Sequence, residues 1–228
     1  MARIVKEDEY NVRRNEILES AQRFVYTRGY EQMAIQDILD DLQISKGAFY
    51  HYFTSKQALL EALIERMMLD AEQVLTPIVH DLNLPALVKF QGFFDTIARW
   101  KTARKDFILA LLQGWYSDGN AIVRQKVNAA GIKWYAPLLT EIICQGIREG
   151  VMNNPYPDQA GEVVLALMLG MGDAMAGLFL PDGLHPNDLP HIQAMLASYG
   201  DALERVLGTP TGSIQFVEKA TLQEWVAP

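Results

Sequence analysis

Ser45-Lys46-Gly47-Ala48-Phe49-Tyr50-His51-Tyr52-Phe53 reads as one short helix with two unlike faces. Phe49 and Phe53 stand at i and i+4, so their rings share a side and ask for a core beneath it. Lys46, Gly47, Tyr50 and His51 fall on the other side. A helix that only packs has no use for an exposed lysine, tyrosine and histidine together, whereas one lying against phosphates needs cations, hydroxyls and imidazoles at its rim. Gly47 and Ala48 are small enough to let the helix N-terminus approach base edges, and Ser45 is the expected N-cap.

Upstream, Ile35, Ile38, Leu39 and Leu42 mark the inner face of another short helix, from about Ala34 to Leu42, joined to the first through Gln43-Ile44. Short helix, tight turn, second short helix is the outline of a helix-turn-helix. Ile17, Leu18, Ala21, Phe24 and Val25 follow the helical period and define a longer helix from about Tyr10 to Arg28, with Gly29 as its stop. Residues 1–9 read as a charged, mobile tail. Downstream, Thr54 and Ser55 offer the cap of a long helix from Lys56 to about Leu82, and Thr54 with Gln57 has the spacing of a capping box.

Beyond it the pattern stays helical, near 85–103, 105–117, 120–149, 157–180 and 188–207, with breaks at Asn83-Leu84-Pro85, Ser117-Asp118-Gly119, the Asn153–Pro157 turn and Pro181-Asp182-Gly183. Pro137 would kink or split the 120–149 helix. No run alternates at period two for long. The expected fold is therefore all-α, with a three-helix unit that holds the helix-turn-helix over 1–55 and a larger helical domain over 56–228. The apolar residues of the tail, Ile214, Phe216, Val217, Leu222, Trp225 and Val226, suffice to dock it as strand or helix.

Composition narrows the function. The net charge is −8, but residues 1–56 carry eight Lys/Arg against nine Asp/Glu, so the acidity lies mostly beyond them. DNA binding would depend on where the cations sit, not on an overall excess. One cysteine, Cys144, excludes a disulfide framework and a Cys-rich zinc site, and with no signal-peptide core in the first residues it points to the reducing cytoplasm. Val163–Leu180 is apolar except for Asp173, a carboxylate that disfavours a membrane span; a helix buried on most sides by its own protein is expected instead. No Gly-rich phosphate loop, Gly-x-Ser-x-Gly elbow or cluster of metal ligands is present, which argues against an enzyme, a cofactor or a metal. A ligand-binding scaffold whose DNA unit has degenerated is the other rival.

The chain resembles the TetR family of bacterial repressors. The resemblance runs through Arg14-Asn15-Glu16-Ile17-Leu18, Arg28-Gly29-Tyr30, Ile35-Gln36-Asp37-Ile38 and the whole of Ser45–Leu59, and more weakly through Gly146–Val151. It implies a homodimer on a double-stranded operator, with repression relieved by a small apolar or amphipathic molecule. By position it implies that Lys46, Gly47 and Ala48 meet bases or adjacent backbone, that Tyr50 and His51 contact phosphates, that Lys56 bonds a phosphate through its side chain or its helix N-terminus, and that Gln36 is a further contact. Tyr52 is shared between core packing and the DNA edge. The chain departs from the family at Met33-Ala34, where a hydroxyl cap is usual, and at Gln36, Gln43 and Ala48, where Arg, Gly and Thr are common.

In the second domain, Ala166, Gly170, Ala174 and Gly177 form a small-residue stripe along one helix. With Ile192, Leu196 and Tyr199 of the next it could form half of a four-helix bundle across a two-fold axis. Large aromatics are dense there. Phe90, Phe94, Trp115, Trp134 and Met168 are the candidate ligand residues, alongside Asp173, which would pair across a dimer, cap a cavity or meet a cationic ligand.

Overall fold

A computed structural model describes residues 2–180, 188–215 and 225, with backbone alone over 2–8. The described elements are helices: α1 (Ala2–Arg28), α2 (Ile35–Leu42), α3 (Lys46–Tyr52), α4 (Lys56–Val79), α5 (Ala86–Thr102), α6 (Lys105–Tyr116), a 3₁₀ turn (Asp118–Asn120), α7 (Ala121–Arg148), α8 (Pro157–Phe179) and α9 (Leu189–Leu207). No strand occurs among the described residues. The segment expected to be a mobile tail is instead the start of α1. Its charged residues carry no apolar period, so pattern alone could not extend the helix to Ala2.

The chain forms two compact units whose boundary differs from the expected break at residue 55. Unit 1 comprises Met1–Met67 and Asp106–Val127; unit 2 comprises Met68–Lys105 and Asn128–Pro228. α4 is continuous through Met67 and Met68, so no linker marks the boundary, and α6 rejoins the N-terminal helices after an excursion through α5.

Unit 1 is built on Ile17, Leu18, Ala21 and Val25 of α1, Ile38 and Leu39 of α2, Phe49 of α3, and Leu59, Leu60 and Leu63 of α4, all buried. Phe107 and Leu111 of α6 are buried as well. Gly29 ends α1 with φ +79° and donates its N–H to the Val25 carbonyl, 2.8 Å. Gln43, at φ +50°, ψ +45°, closes α2 in the left-handed region that glycine adopts more easily. Tyr30 ties three elements together. Its ring lies so close to Gly114 of α6 that a Cβ there would come within 2.3 Å of it, and its hydroxyl donates to the Lys56 carbonyl at the start of α4, 3.1 Å. Burial pushes the Tyr30 phenol up to about 12.

Unit 2 has its own core: Leu75 and Val79, then Phe90, Phe93 and Phe94 of α5, Leu139, Ile142 and Ile143 of α7, Val164 of α8, and Leu203 and Leu207 of α9. Pro137 does not split α7, which runs unbroken to Arg148. The buried Lys89 amine donates to the Val79 carbonyl at the end of α4, 2.6 Å, satisfying an acceptor the helix cannot. Ile214 enters the core after α9, its N–H donated to the buried Glu204 carboxylate, 3.0 Å. Trp225 docks against Phe179 and donates its indole N–H to Thr102, 2.8 Å. Phe216, Val217, Leu222 and Val226 lie outside the described residues.

The expectation that the apolar α8 is buried on most sides is overturned: 11% of its most apolar window is buried. By length and composition it is the one helix among the described residues that could cross a membrane. Its inner positions, Ala160, Gly161, Val164 and Ala176, face the core, while Val163, Ala166, Ala174 and Gly177 are exposed. Apolar composition predicts burial only where the chain itself has enough helices to cover every side.

Candidate nucleic-acid interface

α2 lacks a hydroxyl at its cap, since Ala34 stands there. The Asp37 carboxylate still makes the reciprocal half of a capping box by accepting the Ala34 N–H, 2.8 Å, while also pairing with Arg28, 3.0 Å. At the other end, the Asp41 carboxyl accepts from the buried Ser20 hydroxyl, 2.6 Å, and from Arg23. The Ser20 hydrogen bond, followed by the Arg23 charge, holds Asp41 below the usual carboxylate range. A group with a depressed folded pKa stabilises above its unfolded value, about pH 4, and loses that contribution as pH falls through the folded value. The urea midpoint of Asp41→Asn is therefore expected to lie below wild type at pH 7, with the gap narrowing as pH falls below about 4. A gap that does not change with pH would remove Asp41 from the account.

α3 begins at Ser45, whose Oγ accepts from the Ala48 N–H, 3.1 Å. Phe49 is fully buried and Phe53 nearly so, their centroids 6.0 Å apart. This fixes the roll of the helix and turns Lys46, Gly47, Tyr50 and His51 to the surface, with Ala48 half-buried. Tyr50 is 42% exposed although it adjoins Phe49, and the Lys46 amine lies 6.0 Å from its ring. Gln36 is exposed on α2, its amide donating to Asp40, 2.7 Å.

Lys56 is committed elsewhere. Its amine sits 4.4 Å above the Tyr30 ring, donates to the Glu31 carbonyl, 3.1 Å, and has its pKa lowered by burial. Of the two routes to a phosphate expected at Lys56, the side chain is thus taken up within its own unit. Ser55, not a Thr54–Gln57 box, caps α4, its Oγ accepting from Ala58, 3.0 Å.

Residues 17–63 match the family model "Bacterial regulatory proteins, tetR family", and residues 113–174 match "Tetracyclin repressor-like, C-terminal domain". The chain belongs to the TetR family. The HTH-type transcriptional repressor DhaR of Mycobacterium sp. (strain GP1) is 27% identical over 84 residues, 37% of this chain and 42% of that protein. The chain thus spans about half or less of the length of the curated relatives it matches. A TetR-family regulator from Pectobacterium atrosepticum superposes with a TM-score of 0.65 at 18% identity, covering 89% of this chain and 98% of that one. A SmeT–triclosan complex superposes with a TM-score of 0.60 at 17% identity, covering 90% of this chain and 97% of that one. These likenesses establish the fold, and the TetR family is one of regulators rather than enzymes.

In the TetR frame α2 and α3 are the helix-turn-helix, and residues 113–174 of the C-terminal match reach from α6 into α8. Tyr52 is half-buried because it turns toward Tyr10 of α1, ring centroids 4.8 Å apart, and Tyr10 meets His51 as well, at 5.7 Å. Tyr10 escaped the sequence reading. Its signal was the spacing Tyr10, Arg14, Ile17, which places it on the same face as a core residue.

The six expected ligand residues are divided between the two units. Phe90 and Phe94 are core residues of unit 2, rings 5.0 Å apart, with Met168 partly buried against the same core. Trp134 is half-buried on α7 and Asp173 is exposed on α8. Trp115 belongs to unit 1, where its carbonyl accepts from Arg124, 2.7 Å. Of the expected dimer residues, Ala166, Ala174 and Gly177 are exposed, and Gly170 is half-buried near the Tyr199 hydroxyl. Leu196 and Tyr199 pack partly on the core, while Ile192 is fully buried within its own unit and presents nothing to a second chain.

Proposed function

We propose that this chain is a cytoplasmic, homodimeric transcriptional repressor that binds a pseudo-palindromic operator through α3 and is released by a small apolar or amphipathic molecule. The observation that carries the reading is the roll of α3. Two buried phenylalanines turn Lys46, Gly47, Tyr50 and His51 to solvent, a side-chain set suited to bases and phosphates. Gln36, Ala48, Tyr52 and the α4 N-terminus at Lys56 extend the same surface in this reading. Relatives named as repressors, DhaR among them, support repression, and the triclosan named in the SmeT complex supports the binding of a small molecule.

A second copy related by a two-fold axis supplies the cover that α8 lacks. Ala166, Gly170, Ala174 and Gly177 admit close helix approach, and the exposed apolar surface beside them disfavours a monomer. Two copies would set the α3 helices about 34–36 Å apart, one turn of duplex. The effector's seat lies in unit 2, with Phe90, Phe94, Trp134 and Met168 as its apolar candidates.

Selection from a randomised duplex pool tests the reading. The wild type is expected to enrich a pseudo-palindrome with half-sites about one helical turn apart. The double mutant Lys46→Ala, Tyr50→Ala, with an unchanged circular dichroism spectrum, is expected to lose at least tenfold in affinity. Failure of the folded wild type to enrich any sequence would refute the proposal.

A further inference from the structure

Three rings meet at the C-terminal half of α3, and one of them comes from outside the helix-turn-helix. Tyr10 of α1 stands 5.7 Å from the His51 ring at an interplanar angle of 81°, and 4.8 Å from Tyr52 at 37°. His51 and Tyr52 themselves meet at 5.1 Å and 81°. Tyr10 lies one turn out from Arg14, whose guanidinium covers the Phe53 ring at 5.1 Å, and two turns out from the fully buried Ile17. This face of α1 thus runs from the core of unit 1 to its rim, ending on two residues of α3 that are not themselves in the core. His51 is exposed and Tyr52 half-buried.

An exposed imidazole on a short helix samples several rotamers, and freezing it on binding costs affinity. A ring held edge-to-face against a neighbour has already lost that freedom. We infer that Tyr10 is a positioning residue for the DNA-facing edge of α3: its ring holds the His51 and Tyr52 side chains in one arrangement, so that both reach the phosphate backbone ordered in advance. The inference rests on the reading of α3 as the DNA-facing helix. It gives α1 a share in affinity through residues it touches rather than through DNA, and it makes the ring of Tyr10, not its hydroxyl, the group that matters.

The test uses the full chain and a duplex of about 30 base pairs chosen by the wild type from a randomised pool, with affinity read by fluorescence anisotropy at fixed salt. Tyr10→Ala is expected to bind about tenfold more weakly, and Tyr10→Phe, which keeps the ring, restores wild-type affinity. The ring protons of His51, followed by NMR, move toward random-coil shifts in Tyr10→Ala. In a His51→Ala, Tyr52→Ala background, Tyr10→Ala costs nothing further, since the groups it positions are gone. If Tyr10→Ala lowers thermal stability, Tyr10→Leu keeps the apolar bulk without the ring and shows the same loss. Wild-type affinity in both Tyr10→Ala and Tyr10→Leu, or an undiminished tenfold loss in the double-alanine background, overturns the inference while leaving the DNA-binding reading intact. A wild type that selects no sequence overturns both.

Discussion

Phe49→Ala is expected to remove about 3–5 kcal/mol from the stability of unit 1. The ring is fully buried, contacts Phe53 at 6.0 Å and Tyr50 edge-on at 5.5 Å, and sits in a helix of seven residues. Too short to hold itself, that helix keeps its shape through what its inner face packs against. Amide exchange is the measurement of choice because it reports each unit separately: protection over α1 to α3 is expected to fall by two to three orders of magnitude or more, with α5 and α9 little changed. Operator affinity would fall with it, since the roll of α3 depends on the same ring. Protection unaltered over α1 to α3 would mean that Phe49 is not the anchor of the exposed face.

Gly161→Ala carries the second large effect, and its sign is the informative part. In a helix interior alanine is favoured over glycine by about 1 kcal/mol, so propensity alone predicts a stabilised α8. Here a Cβ would lie 2.3 Å from the Ala136 carbonyl oxygen, 2.4 Å from the Thr140 hydroxyl and 3.0 Å from the Thr140 nitrogen, all on α7. Two of these atoms are backbone and cannot swing aside. Forcing the helices apart costs about 1–3 kcal/mol or more, which outweighs the propensity gain. Gly172, on the same helix, has open space where its Cβ would go. Thermal melts are therefore expected to show Gly161→Ala below wild type and Gly172→Ala at or above it. A rise in both would leave propensity as the deciding effect and discount the close crossing of α7 and α8.

The parts of this molecule legible in sequence are those where a local period coincides with a buried face. Phe49 and Phe53 reveal the roll of α3 because four residues return the helix to the same side, and Gly29 reveals the end of α1 because little else adopts φ +79° at low cost. Tertiary packing hid the rest. Gln43 takes the left-handed turn that a glycine would have announced. The amine of Lys56 leaves the surface for the Tyr30 ring and the Glu31 carbonyl, partners 26 and 25 positions back in the chain. Gly114 looks like a weak point in an apolar helix until the Tyr30 ring is seen to occupy the space of its missing side chain. α8 is apolar yet mostly exposed among the described residues, and composition cannot tell a buried helix from an exposed one.

The return of residues Asp106–Val127 to unit 1 bears on how the protein is made. The helix-turn-helix emerges early from the ribosome, but Gly114, which packs against the Tyr30 ring, and the buried Phe107 and Leu111 of the same helix come tens of residues later. At ordinary elongation rates of about 5–20 residues per second, the intervening stretch takes several seconds to synthesise. For that interval Tyr30 lacks part of its cover, and the nascent DNA-facing unit stays incomplete until α6 has left the exit tunnel. A nonsense mutation before residue 106 would therefore release a fragment that carries α1 to α3 without the packing that finishes their unit, a substrate for proteolysis rather than a competing DNA binder.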